Sequence, residues 1–185
     1  MLPIIAITMG DPAGIGPELV LKVLSNPEYY GRCRPIIIGD SEVFSIISRQ
    51  IGANLQVNII FHLTDARYEP LKPDLLQPET LQLSSVNWGE IHPANGKAAA
   101  VCLEQAWQLA MQHEIAGIVS APMHKKAFQL AGYDYVDELA YFSKLTACKD
   151  TFFMGVMRKV WTVATRSTID YFLHILTILI HNPDI

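Results

Sequence analysis

Short, continuously apolar runs alternate along this chain with segments whose apolar residues recur at helical spacing. The apolar runs are rich in isoleucine and valine, which predicts strands buried on both faces of a parallel sheet. Predicted strands occupy residues 3–9, 35–39, 55–61 and 115–120, a short candidate at 81–86, and an adjacent pair at 152–157 and 160–165.

Local signals bound the predicted helices between these strands. A first helix follows a glycine-rich turn, with apolar residues at positions 19, 20, 23 and 24. Ser41 is expected to cap a helix that runs to about residue 51, and residues 96–113 form the clearest helical pattern. A short helix over residues 125–130 is expected to end at Gly132. Because helices alternate with buried strands, we predict an α/β fold, layered α/β/α around a mostly parallel sheet.

Composition narrows the classes of function. The chain has 185 residues, 50% of them hydrophobic, with a net charge of -4 and a pI near 5.8. An intrinsically disordered chain is excluded, and a nucleic-acid partner is disfavoured because such binding needs a dense basic face.

The apolar stretch at residues 171–180 is shorter than the roughly 18 residues of a membrane-spanning helix. The N-terminus lacks the basic region of a signal peptide, and three scattered cysteines fit reduced thiols. We therefore expect a cytoplasmic protein with no membrane partner.

The first candidate for chemistry is the glycine-rich turn at positions 10–16, directly after the first strand. Its spacing, G-x-x-x-G-x-G, matches neither the dinucleotide-binding nor the P-loop pattern, and two prolines remove backbone donors. Two interpretations stay open, a structural tight turn and a loop that contacts a ligand. The residues that would line a cleft are Gly10, Asp11, Gly14 and Gly16.

Two further segments carry polar side chains beyond the fourth long strand. His124 and Lys125 stand side by side after residues 115–120, where they could bind an anionic substrate or transfer a proton; the alternative is an exposed loop with no function. Further on, Asp134, Asp137 and Glu138 could ligate a divalent cation or a hydroxylated substrate. An acidic start of a helix explains the second group equally well.

Two long motifs together resemble one known family. ITMGDPAGIGPEL at residues 7–19 and GIVSAPMHKKAFQLAGYDY at residues 117–135 are similar to motifs of the 4-hydroxythreonine-4-phosphate dehydrogenase family, and the likeness extends from about residue 4 to about residue 165. The resemblance implies a fold like that of isocitrate and isopropylmalate dehydrogenases, with two lobes and a homodimer.

The resemblance also implies a reaction. Members oxidise the secondary alcohol of a phosphorylated hydroxy acid such as 4-phosphohydroxy-L-threonine, with loss of CO₂, in pyridoxine biosynthesis. It implies NAD or NADP as cofactor and a divalent metal (Zn, Mg or Co). The expected partner is therefore a small hydroxy acid, which the candidate substrate-binding residues would contact: His124, Lys125, Asp137 and Glu138.

Two positions depart from the family pattern. In the family, F-T-G-H-T-E follows the Ala-Gly pair, and its His-Thr binds the substrate. At the His-Thr positions this chain has Glu138 and Leu139, or Asp137 and Glu138 if the loop is shifted by one. An acidic residue in place of histidine indicates a paralogous branch with another substrate, either a diol or a different hydroxy acid. At the family's first metal histidine stands Ser167 or Ile169, neither of which is a good ligand for a transition metal.

The family is about twice as long as this chain. We therefore expect residues 1–165 to be the N-terminal part of the dehydrogenase fold and residues 166–185 to be a divergent tail, the product of a truncated or shifted reading frame. Three hypotheses for function follow: an NAD(P)- and metal-dependent dehydrogenase, an inactive truncated remnant, and an anion-binding α/β module without catalysis.

Overall fold

A computed structural model describes residues 1–53, 55–81, 83, 85–135 and 138–148, and the backbone of strands at 152–157, 160–165 and 180–181. The chain divides into two compact units, residues 1–135 and residues 136–185. The predicted boundary after residue 165 stays a prediction, because residues 166–170 lie outside the described part of the chain.

The first unit is built on a five-stranded, fully parallel sheet in the order β3-β4-β2-β1-β5. Three isoleucines of β2, at positions 36, 37 and 38, are fully buried at its centre. A strand that is apolar on both sides needs cover on both faces, which explains the run of isoleucines. The strands are β1 (Ile4–Thr8), β2 (Arg34–Ile38), β3 (Asn58–Ile60), β4 (Asp74–Leu76) and β5 (Gly117–Ser120).

Four helices accompany this sheet. They are α1 (Gly16–Leu24), α2 (Ser41–Gln50), α3 (Pro93–Met111) and α4 (Lys125–Leu130). Right-handed crossovers place α1 and α2 on one face, because the chain passes from β1 to β2 to β3 in one direction across the sheet. The return from β4 to β5 places α3 on the other face. In agreement, α1 packs against α2, and α3 packs against α4. The predicted α/β class with a mostly parallel sheet is confirmed.

Most predicted elements are present with shifted ends, and two expectations are wrong. The cap of α2 is Asp40 rather than Ser41, since Asp40 Oδ1 accepts the N–H groups of Glu42 and Val43, each at 3.0 Å. The described residues between 81 and 86 contain no strand. The fifth strand of the sheet is instead β4, a three-residue element in a proline-rich stretch that is strand only because β2 and β3 pair with it on either side.

The second unit contains α5 (Glu138–Thr146) and the strands β6 (Phe152–Met157), β7 (Val160–Thr165) and β8 (Ile180–His181). The three strands form an antiparallel sheet in the order β6-β7-β8. The predicted strands at 152–157 and 160–165 are confirmed. In the described residues of the whole chain, no helix is both long and apolar enough to cross a lipid bilayer.

Candidate functional site

The glycine-rich turn and the segment around His124 lie together at one edge of the sheet. They follow β1 and β5, which are adjacent parallel strands, so both begin at the same edge. The backbone N–H of Asp11 donates to the carbonyl oxygen of Pro122 at 3.1 Å. The structure thus joins two segments that are more than 100 residues apart in the sequence.

This edge, which we call the crevice, has the topology at which open α/β sheets bind ligands. The helix α1 leaves β1 toward one face, whereas α4 follows β5 and packs on α3 at the other face. In open α/β sheets, ligands bind at the carboxyl ends of two neighbouring strands whose connections leave toward opposite faces. The adjoining carboxyl ends of β1 and β5 are such a point.

Two glycines of the turn, Gly10 and Gly16, are explained by packing of the chain against itself. Gly10 has φ +71°, and a Cβ there would lie 2.8 Å from the carbonyl oxygen of Ala121 and closer still to that of Pro122. A Cβ at Gly16 would collide with the carbonyl oxygen of Met9. Gly14 is exposed and donates its N–H to the carbonyl oxygen of Asp11 at 3.0 Å. These contacts favour the structural interpretation of the turn.

The side chain of Asp11 places a carboxyl group inside the glycine-rich turn. Its side chain accepts the N–H of Ala13 at 2.9 Å, and only 6% of the residue is exposed. Burial raises the pKa of the Asp11 carboxyl above its usual range, while the Ala13 N–H and the nearby His124 act in the opposite direction. Since the N–H groups at positions 11, 13 and 14 are already donated within the protein, an external phosphate has few donors left in the turn.

The positive side of the site is the start of α4. His124 is the N-cap of this helix, and its Nδ1 accepts the N–H of Ala127 at 3.4 Å. This contact leaves the proton of the neutral ring on Nε2. Lys125 and Lys126 are both exposed, and neither has an ion-pair partner in the described part of the chain. Sequence reasoning missed Lys126, although the run HKK was its signal.

A third segment, residues 87–96, borders the turn and was not predicted as part of the site. The N–H of Gly89 points at the carbonyl oxygen of Ala13, 3.5 Å away. A Cβ at Gly96 would lie 2.6 Å from the backbone nitrogen of Phe128 in α4, so α3 and α4 touch at this glycine. An isolated glycine within a helical pattern was the available signal for this close approach.

The remaining predicted residues fall elsewhere. Glu138 is the first residue of α5 in the second unit, a position where a carboxylate suits the helix dipole. Asp134 is exposed at the end of the first unit. Asp137, Ser167 and Ile169 lie outside the described residues.

The site does not fit a complete metal centre. Among the described residues, no group of three or more histidine, cysteine, aspartate or glutamate side chains is placed to hold a metal ion. Asp11 and His124, which interact electrostatically, would provide two donors, whereas catalytic zinc sites use three protein ligands. A cavity of about 380 Å³ lies at the carboxyl ends of β3 and β4; Phe61 and Gln105 are among its lining residues, and neither Asp11 nor His124 lines it.

Fold and site define a parallel α/β protein with two exposed lysines, Lys125 and Lys126, beside a switch point of its sheet. The chain belongs to the family described as pyridoxal phosphate biosynthetic protein PdxA, whose model matches residues 31–171. The family resemblance read from the two motifs is therefore confirmed.

Known relatives agree with this assignment. A protein of Symbiobacterium thermophilum is 33% identical over 148 residues, which are 80% of this chain and 44% of the relative. One from Clostridium botulinum is 30% identical over 156 residues, 84% of this chain and 47% of the relative. Both carry the provisional name D-threonate 4-phosphate dehydrogenase.

Solved structures show the same fold. The 4-hydroxythreonine-4-phosphate dehydrogenase of Burkholderia phymatum superposes with a TM-score of 0.83 at 30% identity, over 89% of this chain and 49% of that structure. The enzyme of that name from Klebsiella pneumoniae gives a TM-score of 0.79 at 27% identity, over 92% of this chain and 54% of that structure. The chain spans about half the length of the relatives that it matches.

Proposed function

We propose that this protein acts in the NAD(P)-dependent oxidation, with decarboxylation, of a phosphorylated hydroxy acid such as D-threonate 4-phosphate or 4-phosphohydroxy-L-threonine. Family membership supports the reaction class, and the names of the relatives support the substrate class. The structural observation that carries the proposal is the crevice between β1 and β5, where the segment from His124 to Lys126 meets the turn that contains Asp11.

The described residues supply recognition of the substrate. The ammonium groups of Lys125 and Lys126 attract a phosphate or carboxylate, and Nε2–H of His124 can donate to one of its oxygens. Such groups hold the anionic end and leave the hydroxyl to be placed by the rest of the site. The oxidation needs a hydride acceptor, for which the family implies NAD or NADP. The divalent metal that the family implies does not fit the described residues, so no step is derived through it.

Several finer statements belong to the same proposal. Asp137 and Glu138 are proposed as further substrate contacts, because they stand at or next to the position of the family's substrate-binding His-Thr pair. A homodimer and a cytoplasmic location rest on family membership alone. The acidic replacement at position 138 supports a hydroxy acid other than that of the pyridoxine pathway, and the names of the relatives agree with such a branch.

A second candidate function is anion binding without turnover. It is favoured because the described residues carry unpaired lysines beside the crevice and no group of metal-ligating side chains. This candidate and the dehydrogenase share the binding site and differ in hydride transfer, so one experiment separates them.

The test combines calorimetric titration of D-threonate 4-phosphate with absorbance of the reduced nicotinamide, in the presence of NAD or NADP and a divalent metal. We expect the double substitution Lys125→Gln with Lys126→Gln to weaken binding by about tenfold or more, since each removes a charge-assisted contact. Lys22→Gln is the matched control, because Lys22 is exposed in the last turn of α1, at the opposite edge of the sheet.

Each outcome has one meaning. Binding together with turnover supports the dehydrogenase, and binding without turnover supports the anion-binding module. If the wild-type chain does not bind, or if Lys22→Gln weakens binding as much as the double substitution, the proposed site is wrong.

A further inference from the structure

Asp11 is held more rigidly than a surface carboxylate. Its backbone N–H donates to Pro122, its carbonyl oxygen accepts the N–H of Gly14, and one side-chain oxygen, Oδ1, accepts the N–H of Ala13. The residue is nearly buried, at 6% exposure. Because three hydrogen bonds tie it to both halves of the crevice, the carboxylate has little freedom to turn away from a ligand.

The second carboxylate oxygen is available. Asp11 Oδ2 has no hydrogen-bond partner among the residues that the structure describes. It is also absent from the fully buried unpaired polar atoms of those residues, which are Thr8 Oγ1, Asn95 Oδ1 and Trp107 Nε1. The unpaired oxygen is therefore not fully buried, although little of the residue is exposed.

The neighbouring charges define what this oxygen would accept. The backbone N–H of Asp11 donates to Pro122, two residues before His124, and His124 acts on the Asp11 carboxyl electrostatically. Lys125 and Lys126 follow His124 directly. A ligand that carries only anionic groups is attracted by the lysines and repelled by Asp11. A ligand that also carries a hydroxyl can place its anionic group on the lysines and donate its hydroxyl proton to Asp11.

We propose that Asp11 is a specificity-determining residue, whose unpaired carboxylate oxygen accepts a hydrogen bond from a hydroxyl of the anionic ligand that the His124–Lys126 segment binds. This inference rests on the proposed function and deepens it, because it selects hydroxylated anions over their deoxy counterparts. It assigns the charged residue of the glycine-rich turn a role in recognition, whereas the glycines serve the packing of the turn.

The experiment compares two probes by calorimetric titration of the full chain. D-Threonate 4-phosphate carries a carboxylate, a phosphate and two hydroxyls, and 4-(phosphonooxy)butanoate carries the same anionic groups without hydroxyls. We expect the wild-type chain to prefer the hydroxylated probe by about tenfold or more, the effect of one hydrogen bond to a charged acceptor.

Asp11→Asn tests the residue without removing its structural bond, because the amide oxygen can still accept the N–H of Ala13. We expect this variant to bind the deoxy probe more tightly than wild type, since the repulsion is gone, and to lose most of the preference between probes. Glu28→Gln is the matched control: Glu28 is an exposed carboxylate paired with Arg32 in the short 3₁₀ turn between α1 and β2, at the opposite edge of the sheet. Circular dichroism confirms that each variant is folded.

The outcomes separate this inference from the function on which it rests. If wild type binds neither probe, the proposed binding site and the role of Asp11 both fail. If wild type binds both probes equally, or if Asp11→Asn keeps the full preference, the role of Asp11 is refuted and the binding site stands. A residue with only a structural role would leave the ratio of the two affinities unchanged.

Discussion

The close approach of Gly10 to residues 121–122 makes a strong prediction for the substitution Gly10→Ala. Gly10 has φ +71°, a left-handed conformation that costs a residue with a Cβ about 1–2 kcal/mol. The new methyl group would also lie 2.8 Å from the carbonyl oxygen of Ala121 and closer to that of Pro122, and overpacking of this kind costs about 1–3 kcal/mol. We therefore expect a loss of about 2–5 kcal/mol in the free energy of unfolding.

Gly52→Ala separates the two contributions. Gly52 has a similar φ of +62°, and no heavy atom lies within 4 Å of the position that its Cβ would take. Both substitutions gain the same small entropic benefit in the unfolded chain, so it cancels in the comparison. The difference between the two variants isolates the contact between the turn and the segment that leads to His124.

The assay is urea unfolding followed by circular dichroism, with equal m-values as the condition for comparing free energies. We expect Gly10→Ala to lose at least about 1 kcal/mol more than Gly52→Ala, the lower limit of the overpacking cost, and to bind D-threonate 4-phosphate more weakly because α4 is displaced. Equal losses in the two variants would show that the turn and residues 121–122 are not in close contact, and the site would have to be rebuilt.

Three further predictions concern the framework around the site. Asp74 is fully buried and accepts hydrogen bonds from the Asn58 side chain and from two backbone N–H groups. Because these donors lose their partner, Asp74→Ala is expected to lower the free energy of unfolding in urea by about 2–4 kcal/mol. A loss below about 1 kcal/mol would contradict this network. Asp40→Ala should cost about 1 kcal/mol as a lost helix cap, whereas Ser41→Ala should be nearly neutral, and the reverse order would restore Ser41 as the cap. Burial raises the pKa of the Cys102 thiol to about 12. Iodoacetamide should therefore alkylate the exposed Cys148 and spare Cys102 in the folded protein at pH 8, as read by peptide mass spectrometry. Rapid labelling of Cys102 would show that the sheet does not cover the face of α3 on which Cys102 lies.

The sequence by itself determined the elements whose signals are local. The isoleucine-rich segments of β1 and β2 predicted a sheet covered on both faces. Gly132 follows the end of α4, as the sequence predicted. The start of α2 was ambiguous from the sequence, because Asp40 and Ser41 are both good caps. The sequence prediction chose Ser41, whereas the extended backbone conformation at position 40 makes Asp40 the cap.

Tertiary pairing decided what local signals could not. The strand β4 has only three residues, and its neighbours β2 and β3 supply the partners that make it a strand. The proline-rich stretch around it has too little periodicity to reveal such an element, since strand identity there depends on residues far away in the chain.

The site shows the same division. Both motifs and the family could be read from residue types and their order, and so could His124 and Lys125 as candidates. Three features of the site depend on the parallel pairing of β1 with β5 and on the return of α3 along the opposite face. They are the proximity of Asp11 to His124, the need for glycine where the carbonyl oxygens of residues 9, 121 and 122 lie close, and the approach of residues 87–96 to the turn. Sequence spacing does not encode these distances, because they arise only when the sheet aligns the carboxyl ends of its strands at one edge.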